Sequence, residues 1–170
     1  MELQTTEELY EEEETITVVL DEKDSRILEL LQENSSQSLK DIAENVKLSI
    51  PTVRKRIIKL EECGIIKKWT VILDGKKLGR DVIAFIGVDI NYNIPGAEKM
   101  IRLKIVNMKD VMEVFHMAAF YHDYFVKVKT KNTSTLETMI RTINRLQGVK
   151  RTRTVIVLSP VKEETTFSLF

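Results

Sequence analysis

Two amphipathic segments separated by almost nothing constrain this chain more than any other feature. Leu39, Ile42, Ala43 and Val46 recur at helical spacing, as do Val53, Ile57 and Leu60. Only Lys47 and Leu48 lie between the first stripe and Ser49, a good N-cap for the second. Ser38-x-x-Asp41 supplies a capping-box pattern for the first helix. Pro51 falls in the first turn of the second, where a missing N–H costs little, and Cys63-Gly64 ends it. Two short helices so briefly joined, the second one basic, make a helix-turn-helix pattern.

The flanking residues complete a small domain. Asp21 is positioned to cap an earlier helix whose buried face holds Ile27, Leu28, Leu30 and Leu31, and Asn34 to Gln37 form the turn after it. Ile65 to Asp74 places β-branched residues around Lys67 and Lys68, which predicts a small hairpin or wing. Gly75 to Asp81 reads as a linker.

Charge is distributed to match. The chain as a whole is neutral, with 26 basic and 26 acidic residues. Its first twenty residues, however, contain seven glutamates and no base, while Gln37 to Arg80 holds eleven bases against five acids. A basic module behind an acidic segment predicts a polyanionic partner for the module.

After residue 81 the period changes. Val82 to Ile90 reads as a strand, and Pro95 opens a helix with Ala97, Met100, Ile101 and Ile105 on one face. Val111 to Met117 and Asp123 to Thr130 read as strands around the loop AAFYH. Ser134-x-x-Glu137 is expected to cap a helix bearing Leu136, Met139, Ile140, Ile143 and Leu146, closed by Gly148, and Arg151 to Ser159 is the last strand. The β-α-β-β-α-β order is the ferredoxin-like arrangement, with both helices on one face of an antiparallel sheet. The expected class is α+β. Residues 1–15 are an acidic extension, 16–74 a winged helix-turn-helix domain, 75–81 a linker, 82–160 a ferredoxin-like domain and 161–170 a tail.

Three phrases in this order carry a resemblance. LDEKDSRIL opens the first helix, LSIPTVRKRIIKLEECGII spans the basic helix and GVKRTRT begins the last strand. With the fold order they resemble the Lrp/AsnC (feast/famine) family of prokaryotic transcription regulators, over roughly Leu20 to Leu158. The resemblance implies double-stranded DNA binding by the first domain and homodimers through the second. It further implies higher assemblies (tetramers or octamers) and an amino-acid effector held at contacts between dimers. Two departures stand out: Phe120 occupies the usual place of a glycine in the loop before the third strand, and the acidic extension has no family counterpart.

Specific residues follow from these readings. Val53, Ile57 and Leu60 point inward, leaving Thr52, Arg54, Lys55 and Lys59 outward. Because the start of a recognition helix meets base edges, Ser49, Pro51, Thr52 and Lys55 are the candidates for sequence readout. Arg54, Arg56 and Lys59, with Lys67 and Lys68, are expected on phosphates. Arg56 has a second option, pairing with a carboxylate such as Glu61 or Glu33. The resemblance makes Ala118, Ala119, Phe120, Tyr121 and Asp123 the wall of an effector pocket, with Asp123 receiving a ligand amine and Thr152 and Thr154 near the same interface. The alternative for that loop is a connector whose aromatics pack between copies of the chain.

Other chemistries are weakly supported. His116 and His122 lack metal-ligand spacing, so neither a metal nor any other cofactor is expected, and Cys63 is expected to be a small buried residue. A lone cysteine permits no internal disulfide, no apolar run reaches the ~20 residues of a membrane helix, and the acidic start does not resemble a signal peptide. A cytoplasmic, non-enzymatic regulator is the expectation. Sirohaem decarboxylases share the two-domain fold, but they should have a cationic pocket and no need of a basic recognition helix. A DNA-organising protein of low specificity is a third reading. The acidic extension itself has three readings: a solubilising segment, a decoy competing with DNA, or (Thr15 to Leu20) a strand pairing in a dimer.

Overall fold

The computed structural model describes residues 19–118, 121–164 and 166–169. The described residues divide into two compact units, 19–72 with 162–169, and 73–161. The extension's residues 1–15 lie outside the described residues, as does the greater part of the strand expected over Thr15 to Leu20.

The helical unit holds α1 (Glu22–Glu33), α2 (Leu39–Val46) and α3 (Ile50–Glu62). Each begins on a side chain that accepts a backbone N–H from the first turn: Asp21 from Asp24, Ser38 from Asp41 and Ser49 from Thr52. Asp21 and Asp24 form a full capping box. The tight turn between α2 and α3 depends on Lys47, which takes a left-handed conformation at φ 56° and lets the Leu48 N–H donate to the Ala43 carbonyl. One face of each helix builds the core, in which Ile27, Ile42 and Val53 are wholly buried, with Val46, Leu60 and Leu30 nearly so.

The α+β unit runs β1 (Val82–Ile90), α4 (Ala97–Val106), β2 (Val111–His116), β3 (Tyr124–Thr130), α5 (Thr133–Asn144) and β4 (Val149–Ile156). All pairings are antiparallel, in the order β2-β3-β1-β4. Alternate residues of the central strands (Ala84, Ile86, Val88, Ile90 and Tyr124, Val126, Val128) pack with Ile101 and Ile105 of α4 and with Leu136, Met139 and Ile143 of α5. At the start of β4, Gly148 sits at φ 95°, and a Cβ there would collide with that of Ala97. The opposite sheet face carries Phe85, Phe125, Phe115 and Val155, the last two 45% and 63% exposed.

The fold class is the expected one, with local corrections. Residues 67–74 contain no strand, so the hairpin read over Ile65 to Asp74 is absent; Val71, Ile72 and Leu73 are exposed, and no strand among the described residues pairs with them. Asn132, not Ser134, caps α5, its Oδ1 accepting from the Thr135 N–H. The last strand starts at Val149, because its pairing with β1 reaches back to Ile90. Cys63 is exposed rather than buried, since the C-cap of α3 faces solvent.

Candidate nucleic-acid interface

The basic helix owes its outer face to the inner one. With Val53, Ile57 and Leu60 buried, the 3.6-residue period turns Pro51, Thr52, Arg54, Lys55 and Lys59 to solvent, and all five are exposed. Two isoleucines join them: Ile50 and Ile58 are 42% and 44% exposed. With Val19, Arg54, Lys55 and Lys59 they line an open groove of about 980 Å³ along the helix. No ion pair engages Arg54, Lys55, Lys59, Lys67 or Lys68 among the described residues, so their charge is available to a polyanion. Lys67 and Lys68 are exposed on the extended segment after α3, where Trp69 donates from Nε1 to Glu61 at 2.5 Å.

Arg56 departs from the expected phosphate role. Its Nη1 lies 2.6 Å from Asp21 Oδ2 and 2.6 Å from Asp24 Oδ1, so it braces α3 against the start of α1. Neither Glu61 nor Glu33 is the partner. The Asp24 N–H and then the Arg56 guanidinium hold the Asp21 carboxyl below its ordinary range, and Asp24 followed by Asp21 raise Arg56. Ser49 is likewise committed: its Oγ receives the Thr52 N–H and lies 2.7 Å from Thr52 Oγ1. These two hydroxyls fix the helix start that Pro51 and Lys55 project from.

The described residues expected around an effector lie on different elements. Ala119 and Phe120 lie outside the described residues, while Ala118 and Tyr121 are exposed. Asp123 is anchored to β1: Oδ2 accepts the Ile90 N–H at 2.6 Å, and its own N–H donates to the Val88 carbonyl. Thr152 pairs with Val88 from the other side, its Oγ1 donating to Asn144, and Thr154 stands opposite Ile86. Asp123 and the two threonines therefore flank β1 on opposite sides, about 10 Å apart by strand spacing.

Both histidines have structural partners. His116 stacks on Tyr124 at 4.7 Å between centroids, and the Tyr124 hydroxyl donates to Glu98. Burial first, then the Glu98 carboxylate, push the Tyr124 phenol well above its usual range. His122 Nδ1 lies 2.6 Å from Asp89 Oδ1, and Arg151 holds Oδ2 of the same carboxylate from Nε and Nη2. Burial alone would raise Asp89, but the hydrogen bonds from His122 and Arg151 outweigh it and keep the carboxyl below normal. Residue type at 89, 122 and 151 does not announce this cluster; the strand register creates it.

The comparisons agree with this geometry. Residues 20–67 match the winged helix-turn-helix DNA-binding domain, and residues 83–167 match the Lrp/AsnC ligand binding domain. The chain is 33% identical over 118 residues to the HTH-type transcriptional regulator FL11 of Pyrococcus furiosus, covering 69% of this chain and 76% of that one. It is 33% identical over 110 residues to the regulatory protein AsnC of Haemophilus influenzae, covering 64% of this chain and 71% of that one. Among solved structures, that of AsnC from E. coli superposes with a TM-score of 0.78 at 26% identity, covering 88% of this chain and 99% of that one. The fold is also shared with a Neisseria meningitidis transcriptional regulator solved with L-Met (TM-score 0.83, 24% identity, 88% and 96% covered). A basic, capped recognition helix on one unit and a ferredoxin-like sheet on the other thus belong to a DNA-binding transcriptional regulator, and the chain is a member of the Lrp/AsnC family.

Proposed function

We propose that α3 reads a specific duplex sequence in the major groove, with the N-terminal turn at base edges and the flanking cations on phosphates. The observation that carries this is the single outward face on which Pro51, Thr52, Arg54, Lys55 and Lys59 stand together with uncommitted charge. Ile50 and Ile58 add apolar contacts of the kind made to thymine methyl groups. Lys67 and Lys68 extend the phosphate track beyond the helix.

The same reading makes the protein a homodimer or larger assembly, joined through the sheet face bearing Phe85, Phe115, Phe125 and Val155. Asp123, Thr152 and Thr154 flank β1 on opposite sides. That separation supports an effector held where copies meet rather than inside one chain. The matched domain description and the L-Met of the Neisseria protein favour an amino acid. The role is regulatory rather than catalytic.

Selection of bound genomic DNA, with and without an amino-acid mixture, followed by footprinting, tests the proposal. Protected half-sites about one helical turn apart are expected. Uniform protection without sequence preference would replace it with a DNA-organising role. Selection and affinity unchanged by every amino acid would remove the effector.

A further inference from the structure

The chain leaves the helical unit once, after Ile72, and comes back to it at Lys162. The returning segment is seated by specific contacts. In the last turn of α1, Gln32 uses both ends of its amide on one residue: Nε2 donates to the Phe167 carbonyl at 3.2 Å, and Oε1 accepts the Phe167 N–H at 3.2 Å. This is the donor–acceptor pair that a neighbouring strand offers, so it reads backbone and fixes register without reading a side chain. Two residues on, Leu169 is half-buried against the core cluster that contains Ile27 and Leu30.

We propose that the end of α1 is a docking surface whose occupant is the chain's own C-terminal segment, Phe167–Leu169, acting as a strap. Ten residues, 157–166, tether Phe167 to the end of β4. Two hydrogen bonds and one leucine would not retain a free peptide. A tether of this length supplies an effective concentration on the order of millimolar, which makes so small a contact sufficient. The docked strap makes the described residues from 162 onward part of the helical unit. Its release unfolds neither unit.

Amide exchange measured on the full chain tests this, and DNA plays no part in the measurement. Ending the chain at Val161 should speed exchange in the last turn of α1, from Leu30 to Asn34, by roughly five-fold or more, while β1 and β3 keep their protection. Leu169→Ser and Gln32→Ala should reproduce the change. Alanine favours helix at least as well as glutamine, so faster exchange in Gln32→Ala reports the lost dock and not a weaker helix. Equal exchange in the full and shortened chains would overturn the proposal. Protection that grows with protein concentration would overturn it too, because the occupant would then be a second copy.

Discussion

The imidazole of His122 rests directly on Gly87, and a Cβ at that glycine would collide with its ring atoms. Glycine is required here for close approach. The ring thereby reaches Asp89 at 2.6 Å and meets Phe125 edge-on, with 5.4 Å between centroids.

Gly87→Ala should therefore displace His122, break its bond to Asp89 and leave Arg151 as that carboxylate's remaining side-chain partner. Overpacking of this kind costs about 1–3 kcal/mol. Urea unfolding of the α+β unit is the measurement, and a midpoint matching the parent protein would refute the packing argument.

Arg56 and Asp21 make a prediction with a defined sign. The folded Asp21 carboxyl is held below its ordinary value, so its contribution is complete above the unfolded value of about 3.9 and is lost as pH falls through the lowered folded value. Unfolding followed by circular dichroism between pH 2 and 6 should lose stability less steeply on the acid side in Asp21→Asn than in the parent. Arg56→Ala should weaken the helical unit yet leave the salt dependence of DNA binding nearly unchanged.

Lys55 and Lys67 should separate readout from grip. Lys55→Ala is expected to relax sequence preference. Lys67→Ala is expected to weaken all sequences alike and reduce the logarithmic salt slope by about 1. Gel shifts at several salt concentrations decide it; unchanged specificity after Lys55→Ala would remove its readout role.

Phe125→Asp tests the sheet face. For the proposed assembly through this face, a carboxylate opposite Phe115 should give monomers by light scattering, with the circular dichroism of the chain intact. Retention of the parent mass would place the interface elsewhere.

Lys47→Gly should stabilise the helical unit by up to about 1 kcal/mol, because a left-handed backbone costs a lysine more than a glycine. Thermal unfolding provides the check.

Much of this was legible because local chemistry announced it. Ser38 and Ser49 precede apolar stripes whose period leaves one answer for the helix axis, and β1 is a mostly apolar, β-branched run that reads as a central strand. What remained hidden depended on long-range pairing. Arg56 meets carboxylates 35 and 32 positions away, which no local spacing encodes. Ser134 and Asn132 are both residue types that cap helices, and α5 begins at Thr133, which makes Asn132 its N-cap. Ile65 to Asp74 has the composition of a strand, but a strand requires a neighbour, and composition does not supply one. The three phrases that carried the resemblance contained nothing about Gln32 and Phe167, because their contact is between an amide and a main chain.

Cys63 has one more consequence. It is the chain's only cysteine, and it stands exposed at the end of α3. A thiol-directed fluorophore will therefore report from the recognition helix of the unaltered protein. Its polarisation can follow the mobility of the reading head as DNA or amino acids are added, without a single engineered substitution.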